Sequence, residues 1–435
     1  MTAPTLRKIP ARREYQRPPA VDRGCRWKGV TAVNGFSADG LKKVSEVLDG
    51  YVERGEVVGA VAAIYRHGEP VQVDTSGWRD RAAGQPMRRD TLFRIASMTK
   101  PITAVAALTL VDEGRIGLSD SVDTWLPELA DRKVMRDPDG SPEDVVPAER
   151  PITVEDLLTY RLGLGWGRSS LAPQLFALTA DPIASAIGVA NAERLAPDEW
   201  LRRVGELPLI AQPGTIWRYH TASDILGILI SRVAGQPLET VLRERVLDPL
   251  GMADTGFTVP EHERDRLSVL YGPDDAELDR PATTAWGEPP LFPSGGAGLV
   301  STVDDYGRFA RMLIEGGELD GVRILSAETA AALSRDHLTP EQHAAAPFNP
   351  PLGQFIWADQ GFGYGVKMQT EPGTGVPGVG TLSWPGGFGT AWYADPEKNL
   401  VALLFVQSAN IIIAAEWRSP LGDDFLTGVY GALVD

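Results

Sequence analysis

The chain has few cysteines, and it lacks both a long apolar segment and a recognisable leader. Cys25 is the single cysteine among 435 residues, so an internal disulfide is excluded. No apolar run reaches the length of about 20 residues that a membrane-spanning helix needs. The first 28 residues carry eight lysines and arginines, but they have no apolar core of the kind found in a secretion signal. The sequence therefore predicts a cytoplasmic protein that does not bind membranes.

Positive charge and histidine are also scarce. The chain has 42 Lys and Arg against 58 Asp and Glu, for a net charge of −16, which argues against a nucleic-acid partner. The five histidines show no metal-ligand spacing and the acidic residues are scattered, so we expect neither a metal nor a cofactor. A Gly-x-Ser-x-Gly nucleophile elbow and a Gly-x-x-x-x-Gly-Lys phosphate loop are both missing, which excludes two common enzyme classes.

Strand patterns near both chain ends flank a helical middle. Two β-branched runs around a His-Gly-Glu-Pro turn predict a hairpin, and four more strand-like runs follow late in the chain. Helical spacing dominates between them. The predicted strands are 57–65, 71–74, 362–368, 378–384, 389–394 and 400–407, and the predicted helices are 38–51, 97–113, 153–160, 198–206, 222–234, 237–247 and 421–434.

This order predicts an α+β fold, a mixed α/β sandwich in which an antiparallel sheet built from both chain ends is flanked by helices. We expect residues 1–30 to form an extended arm. Residues 31–110 and 285–435 are expected to form an α/β region, and residues 111–284 a mainly helical region.

The segment Ser97-Met-Thr-Lys100 stands just before the apolar run 101–111. Residues three apart share a helix face, and a desolvated lysine can take the proton that makes a serine nucleophilic. Pro101 is tolerated in the first turn of a helix, so we expect the helix to begin near Ser97, where its dipole would favour an oxyanion. The tetrapeptide by itself is weak evidence, because it can arise by chance.

Two other segments have comparable features. Tyr219-His-Thr221 precedes a predicted helix, and its tyrosine could carry a proton if a nearby ammonium lowered the pKa; a half-buried aromatic at a helix start is the alternative. Trp384-Pro-Gly386-Gly387 ends a predicted strand. Its glycines would let a substrate approach the backbone, and an N–H there could bind an oxyanion; a simple hairpin corner is the alternative.

Taken together, the three segments resemble the Ser-x-x-Lys, Tyr-x-x and Trp-x-Gly motifs of the class C β-lactamase-like serine hydrolases, most closely the family VIII carboxylesterases. The resemblance runs from about Val58 to Gln407. It implies a fold like that of β-lactamases and penicillin-binding proteins, with the active site in the cleft between the α/β and helical regions. Further matching segments are Asp90-Thr-Leu-Phe-Arg94, Leu157-Leu-Thr159, Leu250-Gly-Met252 and Pro293-Ser-Gly-Gly-Ala-Gly298.

The resemblance also implies roles for individual residues. Ser97 would attack a carbonyl and form an acyl-enzyme, while Lys100 and Tyr219 would accept and return the proton; which of them is the primary base is left open. The N–H groups of Ser97 and Gly387 would bind the oxyanion. The residues expected to contact substrate are Trp384, Gly386, His220 and Thr221.

Two departures from the family pattern favour esters over β-lactams. Thr221 stands where the β-lactamases have Asn, and Trp384 stands where they have a lysine that contacts the antibiotic carboxylate. An indole in place of an ammonium removes attraction for an anionic substrate. We therefore predict a serine carboxylesterase acting on small-molecule esters. Acyl transfer, amide or β-lactam hydrolysis at the same site, and a non-catalytic binding homologue are the alternatives.

Overall fold

A computed structural model describes residues 32–179, 194–345, 359–372, 377–410 and 419–434. The arm predicted for residues 1–30 lies outside these ranges. The strands, in chain order, are β1 (Ala32–Val33), β2 (Phe36–Ser37), β3 (Gly59–Arg66), β4 (Glu69–Asp80), β5 (Gln85–Pro86), β6 (Phe93–Arg94), β7 (Lys133–Met135), β8 (Val145–Pro147), β9 (Leu270–Tyr271), β10 (Glu277–Asp279), β11 (Val300–Ser301), β12 (Glu318–Leu319), β13 (Val322–Arg323), β14 (Gln360–Phe362), β15 (Lys367–Gln369), β16 (Leu382–Gly386), β17 (Thr390–Asp395) and β18 (Leu400–Val406).

Eleven α-helices are found in the described ranges, together with several 3₁₀ turns. The helices are α1 (Ala38–Glu53), α2 (Thr99–Asp112), α3 (Val154–Leu158), α4 (Ala172–Ala177), α5 (Pro197–Glu206), α6 (Thr221–Ala234), α7 (Leu238–Leu242), α8 (Val303–Ile314), α9 (Ala327–Leu333), α10 (Pro340–Ala345) and α11 (Pro420–Gly431).

One eight-stranded sheet organises the fold, in the order β14-β15-β16-β17-β18-β3-β4-β5. Every neighbouring pair in it is antiparallel. The late strand β18 pairs with the early strand β3 from Leu400 opposite Arg66 to Val406 opposite Ala60. The predicted α+β fold, with one sheet built from both chain ends, is confirmed.

The central strands are apolar on both faces because helices cover both sides of the sheet. Side chains alternate along a strand. Ala60, Ala62 and Ile64 of β3 therefore pack with α1 and α11, whereas Val61 and Ala63 face the core that includes α2 and α8. A strand buried on both faces reads as a continuous apolar run rather than an alternating one, and this explains the composition of β3 and β18.

Ser97 lies between the sheet core and α2. The short strand β6 pairs with β11, and a 3₁₀ turn over Ala96–Met98 leads into α2. The helix predicted to begin near Ser97 therefore starts as this 3₁₀ turn and becomes α-helical at Thr99. Ala96 has a φ of +44°, so a regular right-handed helix does not extend further toward the N-terminus. Pro101 occupies the first turn of α2, where its missing N–H costs nothing.

The structure differs from three further expectations about elements in detail. The predicted strand 362–368 is a hairpin of β14 and β15, because Gly365 has a φ of +71° and the Gly363 N–H donates to the Val366 carbonyl oxygen at 2.8 Å. The predicted helix 237–247 divides into α7 and a π-helical turn over Arg243–Leu247. The middle of the chain also contains the strand pairs β7–β8 and β9–β10, which are too short to show a period in the sequence.

Within the described ranges, no single helix is both long and apolar enough to cross a bilayer. The pair Thr221–Ala234 and Leu238–Leu247 meets that criterion jointly, by length and composition, but bends by 82° at the break between them.

A buried ion pair anchors the strand that leads to Ser97. The Arg94 guanidinium is fully buried and pairs with Asp279. It also donates to the Ser268 carbonyl oxygen at 2.7 Å and to Gln407 Oε1 at 3.1 Å. These contacts join β6 to β10, to Ser268 and to the end of β18. They therefore fix the strand that leads into the 3₁₀ turn carrying Ser97.

We expect Asp279→Ala to lower the free energy of unfolding by about 3–5 kcal/mol, because it leaves the buried Arg94 charge without its partner. Urea unfolding followed by circular dichroism measures the effect. The matched control is Glu206→Ala, which removes an exposed carboxylate paired with Arg202 and should cost about 0.5 kcal/mol or less. Equal costs for the two variants would contradict the anchoring role of Arg94.

Candidate active site

Three buried side chains meet at the hydroxyl of Ser97. The Lys100 Nζ atom lies 3.0 Å from Ser97 Oγ, as the spacing of three residues predicts. The Tyr219 hydroxyl, 122 residues away in sequence, donates to the same Oγ at 2.7 Å. Ser97 is 9% exposed, and Lys100 and Tyr219 are 1% exposed. A serine held between an amine and a phenol has the arrangement of an activated nucleophile.

Tyr219 lies two residues before α6, inside a cluster of aromatic side chains. Its ring stacks on Trp217 at a centroid distance of 6.0 Å and lies 5.6 Å from Trp384. Burial raises the pKa of Tyr219 despite its hydrogen bond to Ser97. The lowered pKa that a proton-carrying tyrosinate would require is therefore not found, and the phenol keeps its proton at neutral pH.

A strained turn brings both Tyr219 and His220 to Lys100. His220 has a φ of +79° and a ψ of −68°, and the Thr221 N–H donates to the Tyr219 carbonyl oxygen at 3.2 Å. This is a γ-turn with a positive central φ, the rarer and more strained form. It places His220 Nδ1 at 3.4 Å from Lys100 Nζ. Thr221 is joined to the site through the backbone bond just described, and it begins α6.

The end of β16 lies against the nucleophile turn. A Cβ atom on Gly386 would come within 2.4 Å of the Ile95 carbonyl oxygen and 2.1 Å of Thr390 Oγ1, so only glycine fits there. Thr390 Oγ1 donates to the same Ile95 carbonyl oxygen at 3.3 Å. Gly387 is the first residue of the turn after β16. The predicted Trp384–Gly387 segment is thus brought beside the turn that carries Ser97.

Trp384 is almost completely buried. Its indole is 1% exposed and packs against the rings of Tyr219 and Phe362, each at a centroid distance of 5.6 Å. The residue therefore supports the Tyr219 ring, and little of its surface is open to solvent.

Sequence reasoning missed the residues that hold Lys100 from its other side. The Lys100 amine donates to the Gly296 carbonyl oxygen at 2.5 Å. Asp224 Oδ1 fixes that loop by accepting from Ser294 Oγ at 2.7 Å and from the Gly296 N–H at 3.1 Å. The available signal was Asp224 itself, a carboxylate next to the apolar run 225–230, since a buried charge needs partners.

Burial and neighbouring charges together set the pKa values of Asp224 and His220. Burial raises the pKa of Asp224, but contacts with His220, Ser294 and Lys100 outweigh it and hold the pKa below its ordinary value. Burial and the neighbouring Lys100 lower the pKa of His220, and Asp224 opposes them. At neutral pH the pair is therefore a carboxylate beside a neutral imidazole. No group of three or more His, Cys, Asp or Glu side chains suited to a metal occurs in the described part of the chain.

The chain matches known proteins over most of its length. The family model described as "Beta-lactamase" matches residues 44–411. Protein Rv1367c of Mycobacterium tuberculosis is 41% identical over 373 residues, covering 84% of this chain and 88% of that protein. Esterase EstB of Burkholderia gladioli is 34% identical over 399 residues, covering 86% of this chain and 93% of EstB. The resemblance drawn from the motifs is confirmed.

A solved structure agrees with these matches. EstCE1, titled "a hydrolase with promiscuous acyltransferase activity", superposes with a TM-score of 0.72 at 27% identity, covering 90% of this chain and 98% of EstCE1. The architecture described above is therefore also that of a solved hydrolase.

Gly386→Ala should slow the reaction of Ser97 with a fluorophosphonate probe by about 100-fold, because small displacements of a reacting group cost that much. The added methyl group would push β16 away from Ile95. Mass spectrometry of the labelled Ser97 peptide against time measures the rate. Gly431→Ala is the control, since a Cβ there meets nothing within 4 Å. Equal labelling of Gly386→Ala and wild type would show that this close contact does not matter.

Proposed function

The chain belongs to the Beta-lactamase family and is of its serine hydrolase and acyltransferase class, and from this premise we propose that it is a carboxylesterase that cleaves small-molecule esters through an acyl-enzyme on Ser97. The observation that carries the proposal is the Ser97 hydroxyl held 3.0 Å from the Lys100 amine and 2.7 Å from the Tyr219 phenol. The similarity to an esterase, EstB, supports an ester as the substrate.

Acylation begins when Ser97 Oγ attacks the ester carbonyl carbon. The new C–O bond forms as the hydroxyl proton passes to Lys100, which acts in this step as a neutral amine. Lys100 is favoured over Tyr219 as the base, because burial raises the pKa of the phenol and keeps it protonated. The N–H groups of Ser97 and Gly387 are the proposed donors to the oxyanion.

The tetrahedral intermediate then collapses and the alcohol leaves. Tyr219 OH, which already points at Ser97 Oγ, delivers its proton to the departing alkoxide and recovers one from Lys100. In deacylation a water molecule attacks the acyl carbon and gives one proton to the same pair. The bond from the acyl carbon to Ser97 Oγ then breaks, the pair returns the proton to Oγ, and the carboxylic acid leaves. An alcohol in place of water would yield a new ester. Acyl transfer is the second candidate, because EstCE1 is a hydrolase with promiscuous acyltransferase activity.

The preference for neutral esters rests on the residue at position 384. The resembling β-lactamases have a lysine there for the antibiotic carboxylate, and this chain has the buried Trp384. An apolar ring cannot replace the charge–charge contact, so an anionic β-lactam loses a binding interaction that an uncharged ester does not need.

Ser97→Ala should lower kcat/KM for p-nitrophenyl butyrate by about 10⁴-fold or more, because it removes the nucleophile of a group of residues that act together. The matched control is Ser76→Ala, which also deletes a buried hydroxyl, one bound to Asp49 at 2.8 Å, and which should retain activity. Both variants should unfold near the wild-type temperature. Retention of a tenth of the activity by Ser97→Ala would refute the assignment of the nucleophile.

The same enzyme preparation should prefer p-nitrophenyl butyrate to a chromogenic cephalosporin. One missing charged contact is worth about 1.5–3 kcal/mol, or roughly 10- to 100-fold in kcat/KM. A cephalosporin whose carboxylate is esterified serves as the control, since ring opening of this neutral compound should be no slower than that of the anion. Equal or faster turnover of the anionic cephalosporin would replace the esterase proposal with a β-lactamase.

A further inference from the structure

We propose that His220 and Asp224 form a positioning pair for Lys100, in which His220 Nδ1 accepts a hydrogen bond from the lysine amine and His220 Nε2–H points to Asp224. The pair would hold the amine where it can take the proton of Ser97. The inference deepens the proposed function, on which it rests, by adding residues that act through Lys100.

The four side chains form a continuous line from α6 to the nucleophile. Asp224 Oδ2 lies 3.4 Å from His220 Nε2; both atoms are buried and neither has a hydrogen-bond partner among the described residues, so this is a close polar contact rather than a formed hydrogen bond. His220 Nδ1 lies 3.4 Å from Lys100 Nζ. Lys100 in turn reaches Ser97 Oγ at 3.0 Å. His220 and Asp224 are at most 5% exposed, so within the described structure solvent does not compete for these contacts.

The neighbours of His220 determine which ring nitrogen carries the proton. An ionised Asp224 only accepts hydrogen bonds, whereas a lysine amine donates them. A neutral imidazole satisfies both when Nε2 is protonated and Nδ1 presents its lone pair to Lys100. The amine can then direct one N–H to Nδ1 and another to the Gly296 carbonyl oxygen, 2.5 Å away, which leaves its lone pair for the Ser97 proton.

The backbone conformation of His220 and its packing also indicate a functional role. Its φ of +79° and ψ of −68° are a strained combination for a residue with a side chain, and such strain persists where the surroundings impose it, often at functional sites. Trp166 stacks on the imidazole at a centroid distance of 4.0 Å and an interplanar angle of 9°, which fixes the plane in which Nδ1 points.

Asp224 also connects His220 to Gly296, the other residue that binds the Lys100 amine. Its Oδ1 atom binds Ser294 and the Gly296 N–H, while Oδ2 faces His220. One carboxylate therefore orients both the imidazole and the carbonyl that contact the amine. Tyr160, whose hydroxyl contacts Ser223 at 2.6 Å, and Tyr219 are the other titratable groups next to this pair.

The test compares His220→Leu, which removes both polar contacts, with His220→Asn, whose side-chain oxygen can take the place of Nδ1. His220→Leu should lower kcat for p-nitrophenyl butyrate by about 10- to 100-fold, because a displaced base slows proton transfer on that order. KM should change by less than about threefold, because His220, predicted from the sequence to contact substrate, is 5% exposed and covered by Trp166 and so presents little surface to a substrate. His220→Asn should recover kcat to within about fivefold of wild type, because the acceptor toward Lys100 is restored.

His337→Leu is the matched control. His337 also stacks on an aromatic ring, that of Tyr364, at 4.1 Å and 13°, and burial lowers its pKa. The contacts of its side chain are with Ala332, Glu155 and Tyr364, so its loss should leave kcat near the wild-type value. A loss like that of His220→Leu would show that removing a stacked histidine is harmful in general, and would overturn the proposal.

A second comparison, with Asp224→Asn, tests whether Asp224 acts through His220. Asp224→Asn keeps an acceptor for Ser294 but presents an amide N–H₂ to Nε2, which favours the wrong tautomer. It should lower kcat by about tenfold in the wild-type chain and by less than about threefold in the His220→Asn chain, since coupled residues show non-additive effects. Equal losses of kcat in the two chains would show that Asp224 does not act through His220.

The rate of Ser97 labelling by a fluorophosphonate is measured in every variant, because it reports nucleophile activation without an ester. If wild type labels at Ser97 but does not hydrolyse esters, the proposed function fails and the labelling rates still decide the role of His220. Labelling of His220→Leu within about threefold of wild type, or of His220→Asn as slow as that of His220→Leu at the same unfolding temperature, would overturn the proposal. If His220→Leu does not fold, the Asp224→Asn comparison decides.

Discussion

The site depends on one constraint, the burial of the Lys100 amine in the core of the fold. A polar group placed there is costly unless its hydrogen bonds are made, and its partners come from three segments far apart in the chain. Ser97 precedes it on the same turn, Gly296 belongs to the loop before β11, and His220 belongs to the γ-turn before α6. Satisfying this one amine therefore fixes three backbone segments, and two of them hold Ser97 and Tyr219, to which the proposed chemistry is assigned.

The sheet supplies the other half of the geometry. β16 ends against the Ile95 carbonyl, and there is no room there for a side chain at position 386. The Arg94–Asp279 pair holds β6, the strand just before Ile95. The N–H groups of Ser97 and Gly387, the proposed oxyanion donors, thus lie on two elements whose separation is set by packing in the buried core. Such rigid positioning is what stabilisation of developing charge requires, because the donors then need no reorganisation during the reaction.

Burial also supports the proton-transfer roles proposed for Tyr219 and Lys100. Tyr219 is enclosed by aromatic rings, and because its pKa is raised, the phenol is a donor at neutral pH. The proton acceptor in the proposed reaction is then the amine, and the tyrosine returns the proton to the leaving group. Both Trp384 and Trp217 contribute through contact with the Tyr219 ring, so an apolar residue at position 384 serves the placement of the phenol as well as the proposed preference for neutral substrates.

The sequence by itself determined what depends on short-range spacing: the contact of Ser97 with Lys100, the strands of the two chain ends, and the motifs that define the family. It could not predict the hairpin at Gly365 or the 3₁₀ turn at Ala96, because single residues with positive φ override the local pattern. The resemblance already placed Tyr219 with Ser97 and Lys100, but only the tertiary structure brought Gly296 to the lysine and Asp224 to Gly296, and only burial raised the pKa of the tyrosine. Contacts between residues more than 100 positions apart, and the dielectric around them, are properties of packing that no local stretch of sequence contains.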